Sequence, residues 1–279
     1  MSQKKVAVIG AGGKMGYRVS ANLKNSPYDV KHVEVCEDAR DWRKKDLGVA
    51  GVEADTALRD ADIGLLTIPD NRIEKVTKQL VSKFKKGATL IALDAAAPFA
   101  GHLPDREDLT IFVAHPCHPP IFNDETDLEA KRDYFGGIKA KQAIVCALLR
   151  GDEKNYAVAE DVAKRMYAPV IRSHRATVDQ MAILEPVLSE TVCATCLTII
   201  REATDEAVRR GVPEAAARDF ILGHLNVELA ILFDQLPGVR MSDAANKAVE
   251  RAKKEIFAPD WKKVFEREAI AENIRMITS

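Results

Sequence analysis

The chain has 279 residues, of which 47% are hydrophobic and 30% are charged, and its formal net charge is −1. This length allows one large domain or two smaller ones, each with its own core. Charges of both signs are scattered, without the basic block typical of nucleic-acid binding, and we expect no apolar run of membrane-spanning length. The five cysteines lie mostly in apolar runs, which favours reduced thiols, and the first strand follows Met1 too closely for a signal peptide. We therefore expect a cytoplasmic protein that binds neither nucleic acid nor a membrane.

A cluster of glycines joins the first predicted strand to the first predicted helix. Residues 5–16 read KVAVIGAGGKMG, and a helical pattern continues to residue 23. This order of strand, turn and helix is the context of a dinucleotide fingerprint, because glycines let the backbone approach a pyrophosphate and the N–H groups of the new helix donate to it. An ordinary tight turn is the alternative, since the spacing departs from strict G-x-G-x-x-G. The candidate cofactor contacts are Gly10, Gly12, Gly13, Lys14, Met15 and Gly16.

An acidic residue follows the second apolar run. Glu37 comes after the run over 32–36, about 20 residues beyond the glycines, which is the distance at which an acid can hydrogen-bond the adenosine ribose. A carboxylate there accepts hydrogen bonds from the ribose hydroxyls and repels a 2′-phosphate. We therefore expect NAD rather than NADP, although Arg40, Arg43 and Lys44 lie close enough in sequence to leave NADP open.

Short apolar runs alternate with amphipathic segments through the first half of the chain. The strand-like runs cover 62–68, 88–94, 110–114, 143–149 and 169–173, and helical patterns cover 71–84 and 152–167. This alternation predicts an α/β fold with a Rossmann-type, doubly wound parallel sheet. Ligands bind at the carboxyl ends of such strands, so we expect Pro69, Asn71 and Asp94 to line the cofactor cleft. Asp70 or Asn71 could instead cap the helix that follows.

The pattern changes near Thr177. Apolar residues recur at spacings of three and four as far as Arg210, and residues 211–213 end one helix and start another. The first of these helices is unusually long for a globular protein and is apolar on several sides, so it should be buried on several sides. We predict a Rossmann domain over 1–176 and an all-α domain over 177–279, which packs on the first domain and on a partner subunit in a homodimer.

Two histidines stand in a proline-rich segment directly after the predicted strand over 110–114. Residues 115–120 read HPCHPP, and prolines stiffen a backbone so that it can hold side chains in a fixed direction. In a doubly wound sheet this segment faces the ligand crevice. His115 and His118 are therefore candidate metal ligands or acid–base groups, and locally hydrogen-bonded loop histidines are the alternative.

Carboxylates interrupt the long apolar helix. Glu185 and Glu190 stand in AILEPVLSETV, where a charge is costly unless it is paired or binds a metal. Five residues correspond to about 140° around an α-helix, so the two point in different directions unless the helix distorts, and Pro186 predicts a kink. Glu185 is the better ligand candidate, while Glu190 could equally be a surface residue. His224 and Glu228 share a face of the next helix, either as site residues or as a solvated polar stripe.

Together these motifs resemble the 6-phosphogluconate dehydrogenase and 3-hydroxyacid dehydrogenase superfamily. The resemblance rests on GAGGKMG at 10–16, the acid Glu37, HPCHPP at 115–120 and LEPVLSE at 184–190, and it covers most of the chain. It implies a Rossmann domain followed by an all-helical dimerisation domain. The hydroxyacid dehydrogenases carry a catalytic lysine near the start of the long helix, but residues 180–198 contain none. The carboxylates there look more like those that hold a divalent metal in the ketol-acid reductoisomerases.

The resemblance implies an NAD-dependent oxidoisomerase that oxidises a sugar acid and moves a carbon substituent. A 2-hydroxy acid can chelate a divalent cation, with His115 and Glu185 as the first-choice ligands. His118 and Glu190 are second choices as ligand or acid–base group, and His224 is expected near the site of its own or the partner subunit. Zinc or manganese suits these donors better than calcium, and magnesium remains open. A plain NAD-dependent dehydrogenase of a small hydroxy acid and a non-catalytic dinucleotide sensor are the alternatives.

Overall fold

The computed structural model describes residues 3–34 and 51–279. The predicted ribose ligand Glu37 lies outside these residues, as do the basic residues that follow it. By its contacts the chain divides into two units, one formed by Met1–Glu185 with Ala271–Ser279 and the other by Pro186–Ile270. This division falls inside the long helix, later than the predicted boundary after residue 176. The predicted boundary stays a prediction.

Seven strands form one sheet in the first unit, in the order β2-β1-β3-β4-β5-β6-β7. They are β1 (Lys5–Ile9), β2 (Asp29–Val33), β3 (Ile63–Leu66), β4 (Thr89–Ala92), β5 (Thr110–Pro116), β6 (Gln142–Arg150) and β7 (Val170–Arg175). The first five strands pair with one another in parallel. The order reverses between β1 and β3, so a ligand crevice is expected outside the carboxyl ends of these two strands. This topology confirms the predicted Rossmann-type fold.

One pairing departs from the predicted parallel sheet. β6 runs antiparallel to β5 and parallel to β7, so the last two strands run opposite to the other five. An apolar run has no direction in its pattern, which is why the sequence could not reveal this reversal. As a result, the amino end of β6 lies beside the carboxyl end of β5, where His115 pairs with Val145 and Pro116 pairs with Ile144.

Helices cover both faces of the sheet. Those before the long helix are α1 (Lys14–Leu23), α2 (Ala54–Leu58), α3 (Asp70–Leu80), α4 (Ala96–Phe99), α5 (Leu128–Arg132) and α6 (Tyr156–Met166). Successive residues of β1 face opposite sides, so Val6 belongs to a cluster with Val19 of α1, whereas Ala7 belongs to a cluster with Ile73 of α3. Because both faces are buried, the central strands β1, β3 and β4 are apolar almost throughout, as parallel sheets require.

The long helix changes its winding along its length. It consists of α7 (Val178–Ala182), a π-helix over Ile183–Ala194 and α8 (Thr195–Arg209). Thr177 caps its start, because the Thr177 hydroxyl accepts from the Gln180 N–H while the Gln180 side chain accepts from the Thr177 N–H. The helix is therefore distorted in the segment that carries both predicted carboxylates.

The π-helix alters the geometry expected for Glu185 and Glu190. Pro186 lies inside the wide segment, and Thr191 Oγ1 donates to the Pro186 carbonyl oxygen five residues earlier at 2.7 Å. Because a π-helix repeats through i→i+5 hydrogen bonds, residues five apart lie roughly one turn apart. The sequence predicts that Glu185 and Glu190 point in directions about 140° apart unless the helix is distorted. The helix is distorted here, so that angle does not apply to these two residues.

The second unit is helical and exposes much apolar surface. Besides α8 it contains α9 (Glu214–Leu232) and α10 (Asp243–Ile256), and α11 (Arg267–Thr278) leads back into the first unit. Leu197 of α8 is 50% exposed, and Phe220 and Leu222 of α9 are 67% and 52% exposed. Several large apolar side chains exposed in one unit indicate a surface that binds another molecule.

Judged by length and composition alone, one helix among the described residues could cross a membrane. It spans Val178–Arg209, and its most apolar 18-residue window has a mean hydropathy of 1.6 with 11% of the window buried. The expectation that no apolar run reaches spanning length is therefore wrong for this helix. However, the helix carries Glu185 and Glu190, and a carboxylate near the centre of a bilayer costs several kcal/mol. Contact with protein suits this helix better than contact with lipid.

The close packing of the glycine loop leads to a stability prediction. A Cβ on Gly16 would lie 2.2 Å from the Gly10 carbonyl oxygen and 2.7 Å from Ala11 Cα, and these backbone atoms cannot rotate away. We expect Gly16→Ala to lower the free energy of unfolding in urea by about 1–3 kcal/mol, as overpacking does. Gly223→Ala in α9 is the control, since its Cβ would meet nothing within 4 Å. An unchanged stability of Gly16→Ala would contradict this packing.

Candidate functional site

The glycine loop forms a cradle at the carboxyl end of β1. Gly10 has a φ of +83°, a backbone conformation that residues with a side chain rarely adopt. A Cβ on Gly10 would also lie 2.5 Å from Ile68 Cγ2, which is too close. Gly13 begins α1 without a side-chain cap, which leaves the first turn of that helix available to an anion. The residues therefore fit a dinucleotide pyrophosphate, as the sequence predicted.

The acidic residue directly after β2 is Glu34. The strand ends at Val33, Glu34 is only 8% exposed, and its Oε2 accepts a hydrogen bond from the Gly12 N–H at 2.8 Å. Glu34 and Gly12 also line the same cavity. A carboxylate at this strand end is placed for the adenosine ribose of a dinucleotide. Sequence reasoning missed Glu34 because the apolar run continues to Cys36 and conceals the end of the strand.

A second cavity lies on the other side of the glycine loop. Its walls combine the loop, the segments after β3 and β4 and the end of β5, and they include Gly13, Lys14, Met15, Pro69, Asp70, Asp94, His115, His118, Phe135 and Tyr167. The predicted contacts Lys14, Met15 and Pro69 thus share one cavity with both predicted histidines. Asn71 lies on the exposed first turn of α3, and its contact with the cofactor stays a prediction.

Two carboxylates converge on one imidazole nitrogen in this cavity. His115 Nε2 lies 3.7 Å from Asp94 Oδ2 and 3.8 Å from Glu185 Oε1, and one ligand atom from each residue lies within 4.8 Å of the others. The three side chains are only 16–26% exposed. The structure therefore brings together the two first-choice ligands, His115 and Glu185, and adds Asp94.

The protonation state of His115 follows from its hydrogen bond and its burial. Nδ1 lies 2.8 Å from the carbonyl oxygen of Pro116, and because a carbonyl only accepts, Nδ1 carries the proton. Burial lowers the pKa of His115 below its usual value of 6.5, a shift that the nearby Asp94 carboxylate opposes. The neutral ring therefore has its lone pair on Nε2, which is the form in which histidine binds metals.

This donor set fits a divalent cation. A cation bound about 2.1 Å from each of two ligand atoms lets those atoms be up to about 4.2 Å apart, and both separations from Nε2 fall within that limit. A lone pair and two carboxylate oxygens that face one another are also electrostatically unfavourable without a positive charge between them. The second carboxylate makes the set richer in oxygen than the predicted pair, which favours magnesium and manganese more than the sequence indicated.

His118 lies in the same cavity in an unusual backbone conformation. Its φ is +60°, a left-handed value that is uncommon outside glycine, and such residues cluster at functional sites. Its ring centroid lies 6.1 Å from that of His115. Nδ1 lies 2.9 Å from the Phe135 carbonyl oxygen, so Nδ1 donates and the lone pair is on Nε2. The predicted acid–base candidate thus has an available proton-accepting atom.

The other two predicted catalytic residues lie in the second unit. Glu190 is exposed on the π-helix and is not part of the three-residue cluster found among the described residues. His224 is exposed on α9, where it stacks on Phe220 with ring centroids 3.9 Å apart, and its Nδ1 lies 2.8 Å from the Phe220 carbonyl oxygen. Their catalytic roles stay predictions.

Tyr167 and Cys117 are two further titratable residues near the site, and both have a raised pKa. Burial raises the pKa of Tyr167 well above 10, and its hydroxyl donates to the Ala114 carbonyl oxygen at 2.9 Å. Burial also raises the pKa of the Cys117 thiol above its usual value of 9.0, against a smaller opposing effect of Arg172. Neither group is suited to accept a proton near neutral pH.

Asp94 is the cluster member that sequence reasoning did not name as a ligand. It follows β4, and its Oδ1 accepts from the Ala96 N–H at 2.6 Å, which is the helix-capping role open to a strand-end aspartate. Its second oxygen remains directed at His115. The strand-end position was the available signal, but the sequence does not show which strand ends are adjacent.

Two family descriptions match the chain, one in each half. Residues 1–119 match "Acetohydroxy acid isomeroreductase, NADPH-binding domain", and residues 123–278 match "Phosphogluconate dehydrogenase (decarboxylating) C-term". The second match covers more than half of the chain. These matches confirm the resemblance to the 6-phosphogluconate and hydroxyacid dehydrogenase superfamily. The isomeroreductase match lies in the dinucleotide-binding half, so the likeness of the carboxylates on the long helix to those enzymes stays a prediction.

Individual relatives match over nearly their whole length. A D-apionate oxidoisomerase of Cupriavidus necator is 56% identical over 99% of this chain and 100% of its own, and one of Rhizobium rhizogenes is 56% identical over 98% and 99%. A crystal structure of a "Semialdehyde dehydrogenase NAD-binding Protein" from Cupriavidus necator in complex with calcium and NAD has a TM-score of 0.97, with 56% identity over 99% of this chain and 100% of that one. The chain therefore belongs to the D-apionate oxidoisomerase family.

Proposed function

We propose that this oxidoreductase uses NAD to oxidise a sugar acid of the D-apionate type and rearranges its carbon skeleton with the help of a divalent metal. The observation that carries the proposal is the Asp94–His115–Glu185 cluster, of which Asp94 and His115 line the same cavity as the glycine loop. A metal-ligand set beside a nicotinamide site suits the oxidation of a chelating hydroxy acid. The names of the 56%-identical relatives supply the substrate class and the rearrangement.

NAD is the dinucleotide that the strand-end acid favours. Glu34 presents a carboxylate where a 2′-phosphate of NADP would be repelled. The Cupriavidus structure contains NAD, whereas the family description matched by the first 119 residues mentions NADPH. The choice between NAD and NADP depends on single residues at the end of β2. Glu34 at that position and the NAD in the 56%-identical relative both favour NAD.

A divalent cation would be held by His115 Nε2 and by oxygens of Asp94 and Glu185. Bound there, it supplies Lewis-acid polarisation of the substrate's carboxylate and hydroxyl oxygens. Three protein ligands leave further coordination positions open, as catalytic sites require. The calcium in the Cupriavidus structure supports a divalent ion in this family without identifying the physiological metal.

The protein's own side chains handle the proton. Oxidation of an alcohol removes a hydride from carbon and a proton from oxygen, and NAD supplies the hydride acceptor when bound. His118 offers Nε2 as the proton acceptor, because its Nδ1–H is held by the Phe135 carbonyl oxygen. Lys14, on the same cavity wall, adds a positive charge that suits an anionic substrate.

Turnover and product analysis test the function. NADH formation is measured with D-apionate and a panel of aldonic acids, and the product is identified by NMR. A rearranged product supports the oxidoisomerase, whereas NADH with an unrearranged oxo acid would identify a plain dehydrogenase. Binding of NAD without any turnover would identify a sensor. The clustered histidines and carboxylates favour the first outcome, since sensing does not need them.

We also propose that the protein is a cytoplasmic homodimer. Helices α8 and α9 expose apolar side chains, and a second copy of the chain that packs on them would bury these side chains. We expect light scattering at micromolar concentration to give twice the chain mass of 30.7 kDa. Leu197→Glu should shift the mass towards that of one chain, because it places a charge in the apolar face. Lys247→Glu on α10 is the control, and a monomeric unmodified protein would contradict the proposal.

The metal site leads to a prediction for two of its proposed ligands. Glu185→Gln and Asp94→Asn should each weaken Mn²⁺ binding by more than about 100-fold, since they remove a ligand and not merely a supporting group. Isothermal titration calorimetry measures the affinity, and the exposed Asp124→Asn serves as the matched control. Activity should disappear in excess EDTA and return with Mn²⁺. Full activity in EDTA, or an unchanged kcat for Glu185→Gln, would eliminate the metal role.

The strand-end acid leads to a prediction for cofactor preference. Glu34→Ala should lower kcat/KM with NAD by about 10-fold or more, because one or two charge-assisted hydrogen bonds to the ribose are lost. The ratio of NADP to NAD activity should rise at the same time. Glu37→Ala is the paired variant, and it tests the residue that the sequence alone favoured. If Glu37→Ala changes cofactor preference and Glu34→Ala does not, the assignment to Glu34 is wrong.

A further inference from the structure

We propose that Asp133 is a positioning residue that fixes the tautomer and orientation of His118 through a turn over residues 133–140. The inference rests on the proposed function, because His118 matters only if a proton is transferred there. Asp133 lies outside the motifs that sequence reasoning singled out, in the connection between β5 and β6. Its carboxylate accepts hydrogen bonds from backbone N–H groups of the turn, so it acts through the backbone.

The Asp133 carboxylate organises the backbone of this turn. Asp133 is 7% exposed, and its Oδ2 accepts hydrogen bonds from the N–H groups of Ile138, Lys139 and Ala140 at 3.0, 2.9 and 3.2 Å. A buried carboxylate oxygen that takes three backbone donors is a strong local constraint, because these charge-assisted bonds replace the water lost on burial. Its own carbonyl oxygen also accepts from the Gly136 N–H at 3.0 Å.

Two glycines and two side-chain amides fix the position of the turn. Gly136 and Gly137 have φ values of +71° and +83°, and a Cβ on Gly136 would lie 2.7 Å from the Gln142 side-chain amide. Gln142 is fixed in turn, since its Nε2 donates to the Tyr167 carbonyl oxygen at 2.7 Å. Asn22 Nδ2 donates to the Gly137 carbonyl oxygen at 3.0 Å. The backbone of the turn therefore has a defined position relative to β6 and α1.

The turn presents one carbonyl oxygen to the active-site histidine. Phe135 lies between Asp133 and the two glycines, and its carbonyl oxygen is the acceptor 2.9 Å from His118 Nδ1. The Phe135 ring meets the His118 ring edge to face, with centroids 6.0 Å apart, and the Arg18 guanidinium lies 4.9 Å over the same Phe135 ring. If this carbonyl moves, His118 loses the hydrogen bond that determines which nitrogen carries its proton.

The chemical consequence is specific. With Nδ1 protonated, the lone pair of His118 lies on Nε2. In the other tautomer Nε2 carries a hydrogen and cannot accept the hydroxyl proton of a substrate. The left-handed backbone of His118, φ +60°, also needs support from its surroundings, and the Phe135 carbonyl oxygen supplies part of it.

The test reads the tautomer directly and separately from turnover. Protein with ¹⁵N-labelled histidine is examined by two-bond ¹H–¹⁵N correlation spectra, and the His118 signals are assigned by their absence in His118→Gln. The unmodified protein should show the Nδ1–H form. Asp133→Asn keeps the shape of the side chain but removes its charge, so we expect a mixture of tautomers. We also expect kcat to fall about 10- to 100-fold, within the contribution of a positioned base, at unchanged affinity for NAD.

Three further variants keep the inference falsifiable. Gly137→Ala strains the turn through its positive φ without a close contact, and it should shift the tautomer in the same direction even if Asp133→Asn does not fold. Phe135→Ala retains the carbonyl and should retain the Nδ1–H form. Asp124→Asn, an exposed carboxylate of the same connection, should leave both the tautomer and kcat unchanged.

The outcomes separate the two proposals. The wild-type tautomer and kcat in both Asp133→Asn and Gly137→Ala would overturn the positioning role. An Nε2–H form of His118 in the unmodified protein would overturn it as well. If the tautomer shifts as expected but the unmodified protein oxidises no sugar acid, the positioning of His118 stands and the proposed function fails.

Discussion

The hydrogen bond from His115 Nδ1 to the Pro116 carbonyl oxygen determines what the rest of the site can do. It places the lone pair on Nε2, and the carboxylates of Asp94 and Glu185 are directed at that same atom. Burial keeps the ring neutral by lowering the pKa of His115, so no proton on Nε2 compensates the two carboxylates. A cation between these three electron-rich atoms would relieve their mutual repulsion. The bond is local, but it determines that the His115 atom beside the two carboxylates carries a lone pair.

Much of this arrangement could be predicted from the sequence because it depends on local pattern. The glycine loop, the strand-like runs, the HPCHPP segment and the carboxylate at the Pro186 kink all lie where periodicity and composition placed them. Strand ends were harder, because an apolar run that continues past a strand conceals its last residue. This is why Glu34 was missed while the run appeared to lead to Glu37, which lies outside the described residues.

Other features could not be predicted because they depend on which segments become neighbours. Asp94 follows a strand like other candidates, and it faces His115 only because β4 and β5 are adjacent. The π-helix is a change in hydrogen-bond register that leaves the side-chain pattern almost unchanged. Pro186 indicated a distortion but not its type. Asp133 gave no signal, since its effect is exerted through three backbone N–H groups.

The reversal of β6 has a consequence for how this fold can diversify. In a parallel arrangement, the connection after β5 would have to return along the sheet to its opposite edge before the next strand began. Here β6 starts where β5 ends, so the whole connection over 117–141 stays at the edge where ligands bind. Outside His118 and the turn over 133–140, its length and composition can change without altering α1, α3 or α6, and loops of this kind tolerate such change. Selection can therefore reshape one wall of the substrate compartment while the dinucleotide half of the fold stays constant.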